Sequence, residues 1–179
     1  LRTNPQAKKQ LGISTFLVDT KLPGIEVRRI STLGQHAIGT TEVTFTNVRV
    51  PRSALLGEID KGWSICEDTL RYERLCLSAA RIGAARRAFE FALDYAKTRI
   101  QFGKPIGSFQ VIQHKFADMK IMLDTAQTMV RRYAWLMENG QAERADTAVL
   151  KYYVGESFKS ISDTCLQVLG GYGYCSEYP

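Results

Sequence analysis

Two stretches of the chain combine residue types that can hold a phosphorylated ligand. The first is Arg99-Ile100-Gln101-Phe102-Gly103-Lys104-Pro105, followed by Phe109-Gln110; the second is Gln167-Val168-Leu169-Gly170-Gly171-Tyr172-Gly173-Tyr174. Each sets glycines, where backbone can approach a ligand closely, beside an arginine or an amide able to grip phosphate and ribose. A third candidate is Glu73 in Leu70-Arg71-Tyr72-Glu73-Arg74-Leu75, a carboxylate flanked by guanidinium groups. Each has a plainer reading. A cation such as Arg99 in the last turn of a helix complements the helix dipole, and Gly170-Gly171 suits a helix C-cap. Arg71 can pair along its helix with Glu67, Asp68 or Glu73. A C-cap leaves Gln167 unexplained at its spacing from the glycines.

These residues need elements to position them. Residues 11 to 58 read as strands over 13–18, 25–30 and 42–50, rich in β-branched residues and punctuated by Pro23-Gly24, Gly34 and Pro51. From Gly62 the period changes, and apolar residues recur every three or four positions (Ile65, Leu70, Leu77, Ile82, Phe89, Leu93). That pattern predicts one helix to Arg99, about 57 Å long. A loop on Gly103, Pro105 and Gly107 follows, with Ser108 the expected N-cap of a second helix to Glu138 that Asn139-Gly140 ends. A third helix is expected from about Glu143 to Leu169, stopped by Gly170-Gly171. The stripe Phe116, Met119, Leu123, Ala126, Met129, Val130 reads as bundle core. The expected fold class is therefore α+β: an antiparallel β piece over 1–58 and an up-down helical bundle over 59–179.

Composition narrows the function classes. The 179 residues are 45% apolar, enough for an ordinary core, and no run approaches the roughly 20 apolar residues that cross a bilayer. Neither a membrane nor a nucleic acid is expected as partner: the formal charge of +6 is spread along the chain without a reading motif, which suits an anionic small molecule better. Cys66, Cys76, Cys165 and Cys175 show no CxxC spacing and only two histidines are available, so no metal site is expected. Cys66 and Cys76, ten positions apart on one predicted helix, lie about 15 Å apart along its axis, too far for a disulfide. Reduced thiols suit an intracellular setting, bacterial cytoplasm or mitochondrial matrix. A chain that opens without Met and stops at Tyr178-Pro179 is expected to be an internal piece of a longer polypeptide.

Taken in order, the motifs resemble the acyl-CoA dehydrogenase family over essentially the whole chain. The β piece contributes Gly12-Ile13-Ser14-x-Phe16-Leu17-Val18, Pro23-Gly24, and Phe45-x-Asn47-Val48-Arg49-Val50-Pro51 leading to Leu55-Leu56-Gly57. The helical piece contributes Arg99-x-x-Phe102-Gly103, Phe109-Gln110-x-x-Gln113-x-x-x-Ala117-Asp118-Met119, and Gln167-x-x-Gly170-Gly171-x-Gly173-Tyr174. The resemblance implies a flavoenzyme with tightly bound FAD that oxidises an acyl-CoA thioester to its trans-2-enoyl-CoA. It also implies an electron-transferring flavoprotein as acceptor and a homotetramer. In that family an N-terminal helical domain, a β-domain and a C-terminal four-helix bundle follow one another. The first domain, the first β-strands and the last helix are expected to be missing here.

Residue by residue, the resemblance implies that Glu73 is the base that takes the α-proton while the β-hydride goes to flavin N5, with Arg71, Tyr72 and Arg74 lining the acyl-CoA site. In the branch resembling isovaleryl- and long-chain acyl-CoA dehydrogenases the base stands at this helix position and is followed by Arg, as here; in others it lies beyond Pro179. Family members often carry an acidic residue where Arg71 stands. Arg99 corresponds to the arginine that reaches the FAD pyrophosphate of a neighbouring subunit, with Gln101, Phe102, Phe109 and Gln110 along the same cofactor wall. Gln167, Val168, Leu169, Gly170 and Gly171 form the second cofactor element. Two rival expectations keep the fold: an acyl-CoA oxidase or flavin monooxygenase, and a non-catalytic subunit that assembles with an active partner.

Overall fold

The computed structural model of the protein describes residues 1–178. The chain separates into two compact units, Leu1–Thr69 and Leu70–Pro179.

In the first unit, β1 (Thr15–Phe16) pairs antiparallel with β4 (Leu55–Leu56). β2 (Ile25–Ile30) and β3 (Thr40–Phe45) form a hairpin in the register Ile25↔Phe45 to Ile30↔Thr40. The buried Ser14 hydroxyl accepts from the Asp60 N–H at 2.7 Å and meets the Thr3 hydroxyl at 2.7 Å. β2 keeps the bounds its β-branched run predicts, whereas the strands expected over 13–18 and 42–50 are shorter than predicted. Asn47 sits at φ 51°, outside extended backbone, so the third strand stops at Phe45 rather than Val50. At Thr15–Phe16 pairing lasts only as long as the two-residue partner β4.

Three helices follow: α1 (Gly62–Thr98), α2 (Gln110–Glu138) and α3 (Arg144–Leu169). Between α1 and α2 a two-stranded hairpin, β5 (Ile100–Gln101) with β6 (Lys104–Pro105), projects Phe102 and Gly103 at its tip. Ser108 is not the N-cap of α2. It ends a 3-10 turn, its hydroxyl donating to the Pro105 carbonyl at 2.7 Å, and Phe109 takes the cap position without a side-chain hydrogen bond. α3 starts on a capping box between Glu143 and Asp146. The Glu143 N–H, with Arg132 beside it, holds the Asp146 carboxyl below its usual range.

Within the second unit the core is built in two layers. Ala85, Ala92 and Ala96 of α1 meet Met119 and Leu123 of α2 and Ile161, Cys165 and Val168 of α3. Ile82 of α1 meets Ala126 and Tyr133 of α2 and Leu150 and Val154 of α3. The end of α1 thus lies with the start of α2 and the end of α3, which is the up-down arrangement of a helical bundle. Small alanines on α1 let the helices approach closely, and the Tyr133 hydroxyl is hydrogen-bonded to that of Thr147 inside the second layer.

Candidate functional site

The up-down path brings the two glycine-containing stretches together. The end of α1 and the end of α3 border one cavity of about 460 Å³, lined by Tyr95, Arg99, Gln101, Ile106, Val168, Leu169, Gly170, Gly171, Tyr172 and Cys175. Local chemistry explains each side. α3 ends because Gly170 takes φ 61°, where glycine carries no Cβ penalty, with its N–H donating to the Gln167 carbonyl. The chain then folds back at Gly173, where a Cβ would come within 2.5 Å of the Leu166 carbonyl oxygen. That return carries Tyr172 towards α1, where the Arg99 guanidinium lies over its ring at 5.4 Å.

Several expected cofactor residues share this cavity and others do not. Arg99, Gln101, Val168, Leu169, Gly170 and Gly171 line it; Phe102, Phe109, Gln110 and Gln167 are not among its lining residues. Phe102 is 91% exposed at the hairpin tip, with φ 51°, and its ring meets Phe109 edge-on at 6.2 Å. Lys104 covers the other aromatic, its ammonium 4.5 Å from the Phe109 ring centre. Gln110 and Gln167 are exposed at the start of α2 and the end of α3.

Arg99 is half-buried and enters no ion pair among the described residues, so its guanidinium donors remain available to an acidic ligand. The helix-dipole reading of Arg99 accounts for its charge, not for its place on a cavity wall. At Gly171 an added Cβ would meet nothing within 4 Å, so this chain itself supplies no steric reason for glycine there.

Glu73 stands apart from this cavity. It lies on α1, exposed, 26 positions before Arg99, which on a straight helix is roughly 39 Å. It enters no ion pair among the described residues. Tyr72 is 63% exposed; Arg71 and Arg74 are half-buried. The buried Nε of Arg71 has no hydrogen-bond partner among the described residues, a condition that costs free energy unless an acceptor arrives. The Arg74 carbonyl accepts from the buried Ser78 hydroxyl at 2.7 Å, an interaction internal to the helix.

Sequence reasoning missed Tyr95 and Cys175 as cavity-lining residues and gave Tyr172 no role. Tyr95 was within reach of a spacing rule, being four residues before Arg99 and hence on the same helix face. Tyr172 and Cys175 depend on the fold-back at Gly173, which no local period signals.

Comparison with known proteins bears on both regions. Residues 60–179 match the family model described as acyl-CoA dehydrogenase, C-terminal domain. A curated relative, the caffeyl-CoA reductase-Etf complex subunit CarC of Acetobacterium woodii, is 36% identical over 96% of this chain and 46% of its own. The solved butyryl-CoA dehydrogenase of Megasphaera elsdenii superposes with a TM-score of 0.93 at 34% identity, covering 99% of this chain and 46% of that one. A structure described as PigA with FAD and proline gives 0.93 at 33% identity over 98% and 46%. The chain spans about half the length of the curated relatives it matches.

Proposed function

The chain belongs to the acyl-CoA dehydrogenase family, and we propose that the protein containing it uses FAD to dehydrogenate an acyl-CoA thioester to its trans-2-enoyl-CoA. The observation that carries this reading is the single cavity joining Arg99 and Gln101 to Gly170 and Gly171. Its donors suit the cofactor: a guanidinium with no carboxylate partner among the described residues, an amide, and glycine backbone with open space where a Cβ would stand. When bound, FAD supplies the hydride acceptor for the substrate β-carbon.

The chain's own residues do the rest. Arg99 is positioned to offer paired donors to a diphosphate, and Gln101 adds an amide on the same wall. Glu73 takes the substrate α-proton. A carboxylate does this only when held against Cα with water excluded, so the exposed side chain seen here requires substrate or another chain to cover it. Arg71 and Arg74 bind the phosphate-bearing end of the thioester, and the Arg71 Nε, without a hydrogen-bond partner among the described residues, is a donor ready for it.

The long separation of Glu73 from the cavity along α1 supports a shared arrangement, in which the Arg99 cavity holds the cofactor of a neighbouring subunit. The protein would then be a homo-oligomer, a tetramer on the family pattern, with its domain boundary at 58/59. An electron-transferring flavoprotein is the proposed redox partner, a reading supported by the relative that belongs to an Etf complex. That same relative is named a reductase, which favours a second reading: the same site run in reverse, with Glu73 giving the α-proton.

Incubating the full-length FAD-loaded protein with a panel of acyl-CoAs and an artificial electron acceptor tests the proposal. Enoyl-CoA should form from at least one; none forming in either direction from a loaded protein would sink it.

A further inference from the structure

We propose that Tyr172 is a positioning residue for Arg99: its ring fixes the guanidinium on the cavity wall before a ligand arrives. The inference rests on reading the cavity as a cofactor site and adds a residue to it that does not itself bind phosphate.

Four observations converge on the ring. The Arg99 guanidinium lies over it at 5.4 Å, the geometry of a cation held by a ring quadrupole. Tyr95, one turn before Arg99, meets the same ring edge-on, with centroids 6.5 Å apart and planes at 73°. Tyr178 closes from another side at 5.1 Å and 31°, and itself meets Tyr95 and Phe91 edge-on at 6.2 Å. The backbone beneath is held as well: the Cys175 N–H donates to the Tyr172 carbonyl at 3.1 Å, and Gly173 lies against Leu166 where no Cβ fits. A ring clasped by Tyr95 and Tyr178 has a set plane, so the cation over it has a set place.

The consequence is energetic. An arginine side chain carries large rotamer entropy, part of which is lost whenever it engages a ligand. Arg99 has no carboxylate to hold it among the described residues; a carboxylate would also compete with the ligand for its donors. An aromatic face restrains the guanidinium while leaving its in-plane N–H groups free for oxyanions. Tyr172 stays 40% exposed, which suits a wall of the cavity more than a core residue.

The test is a double-mutant cycle on the full-length protein, reading the FAD dissociation constant of the apoprotein by flavin fluorescence quenching rather than turnover. Tyr172→Leu should weaken FAD roughly 3- to 30-fold, and Tyr172→Phe, which keeps the ring face, by no more than about twofold. Arg99→Ala should weaken FAD at least roughly tenfold, and in that background Tyr172→Leu should add less than about twofold. Equal losses from Tyr172→Leu in both backgrounds, no loss in either, or a Phe variant as weak as Leu would overturn the positioning role alone. An Arg99→Ala protein with unchanged FAD affinity would overturn the cofactor reading of the cavity and this inference with it. Far-UV circular dichroism of each variant separates lost folding from lost affinity, and the Phe variant keeps the question answerable where Leu fails to fold.

Discussion

Phe102 and Gly103 turn the β5–β6 hairpin through paired left-handed backbone conformations, at φ 51° and φ 80°. Two positive φ values are what a tight two-residue hairpin requires, and Asn-Gly is its favoured pair. A phenylalanine there pays a steric penalty, and its ring is 91% exposed, so burial in this chain does not offset it.

Phe102→Asn should therefore raise the stability of the chain, by about 1 kcal/mol in urea unfolding, while lowering FAD retention in the full-length protein. A loss of stability would show that the ring supports the fold rather than the ligand.

Gly171 and Gly173 should separate the same way, since they sit two positions apart but face different surroundings. A Cβ at Gly173 would stand 2.5 Å from the Leu166 carbonyl oxygen, whereas at Gly171 it would meet nothing within 4 Å. Gly173→Ala should cost about 1–3 kcal/mol by thermal unfolding, the usual penalty of overpacking. Gly171→Ala should leave stability within about 0.5 kcal/mol and reduce FAD affinity. Equal stability losses at both positions would contradict the assignment of open space at Gly171.

How far the sequence discloses this arrangement follows from the range of each signal. The helices are legible because their apolar period is local and glycines or Asn139-Gly140 mark their ends; α1 stops at Thr98, one residue short of expectation. Ser108 misleads because it ends a 3-10 turn, where its hydroxyl donates to the Pro105 carbonyl, and the cap position of α2 falls one residue later at Phe109. The strand over 42–50 reads too long because β-branched composition does not report the left-handed turn at Asn47. Arg99 and Gly170-Gly171 are visible as motifs, but their meeting in one cavity needs the antiparallel path of α1 and α3. The Tyr95, Tyr172 and Tyr178 cluster is hidden for the same reason: it forms only once Gly173 folds the chain back.

Cys165 gives the fold a pH dependence on the alkaline side. Burial in the first core layer, against Met119 Sδ at 3.5 Å, pushes its thiol up from 9.0 to about 11. Between those values the unfolded chain has released a proton that the folded chain keeps, so stability is full below pH 9.0 and declines as pH rises towards about 11. Under reducing conditions, the difference in stability between wild type and Cys165→Ala should shrink across that window. A constant difference would contradict the buried, protonated thiol.

Central to the account is Glu73, an exposed carboxylate on α1 with no ion-pair partner among the described residues. Anaerobic titration of the full-length FAD-loaded protein and its Glu73→Gln variant with a panel of acyl-CoAs, following flavin absorbance, tests its role most directly. The account predicts that wild type bleaches with at least one acyl-CoA, while the variant binds the same ligand with a spectral shift and stays oxidised. Equal bleaching of both proteins would contradict it and place the base elsewhere in the protein.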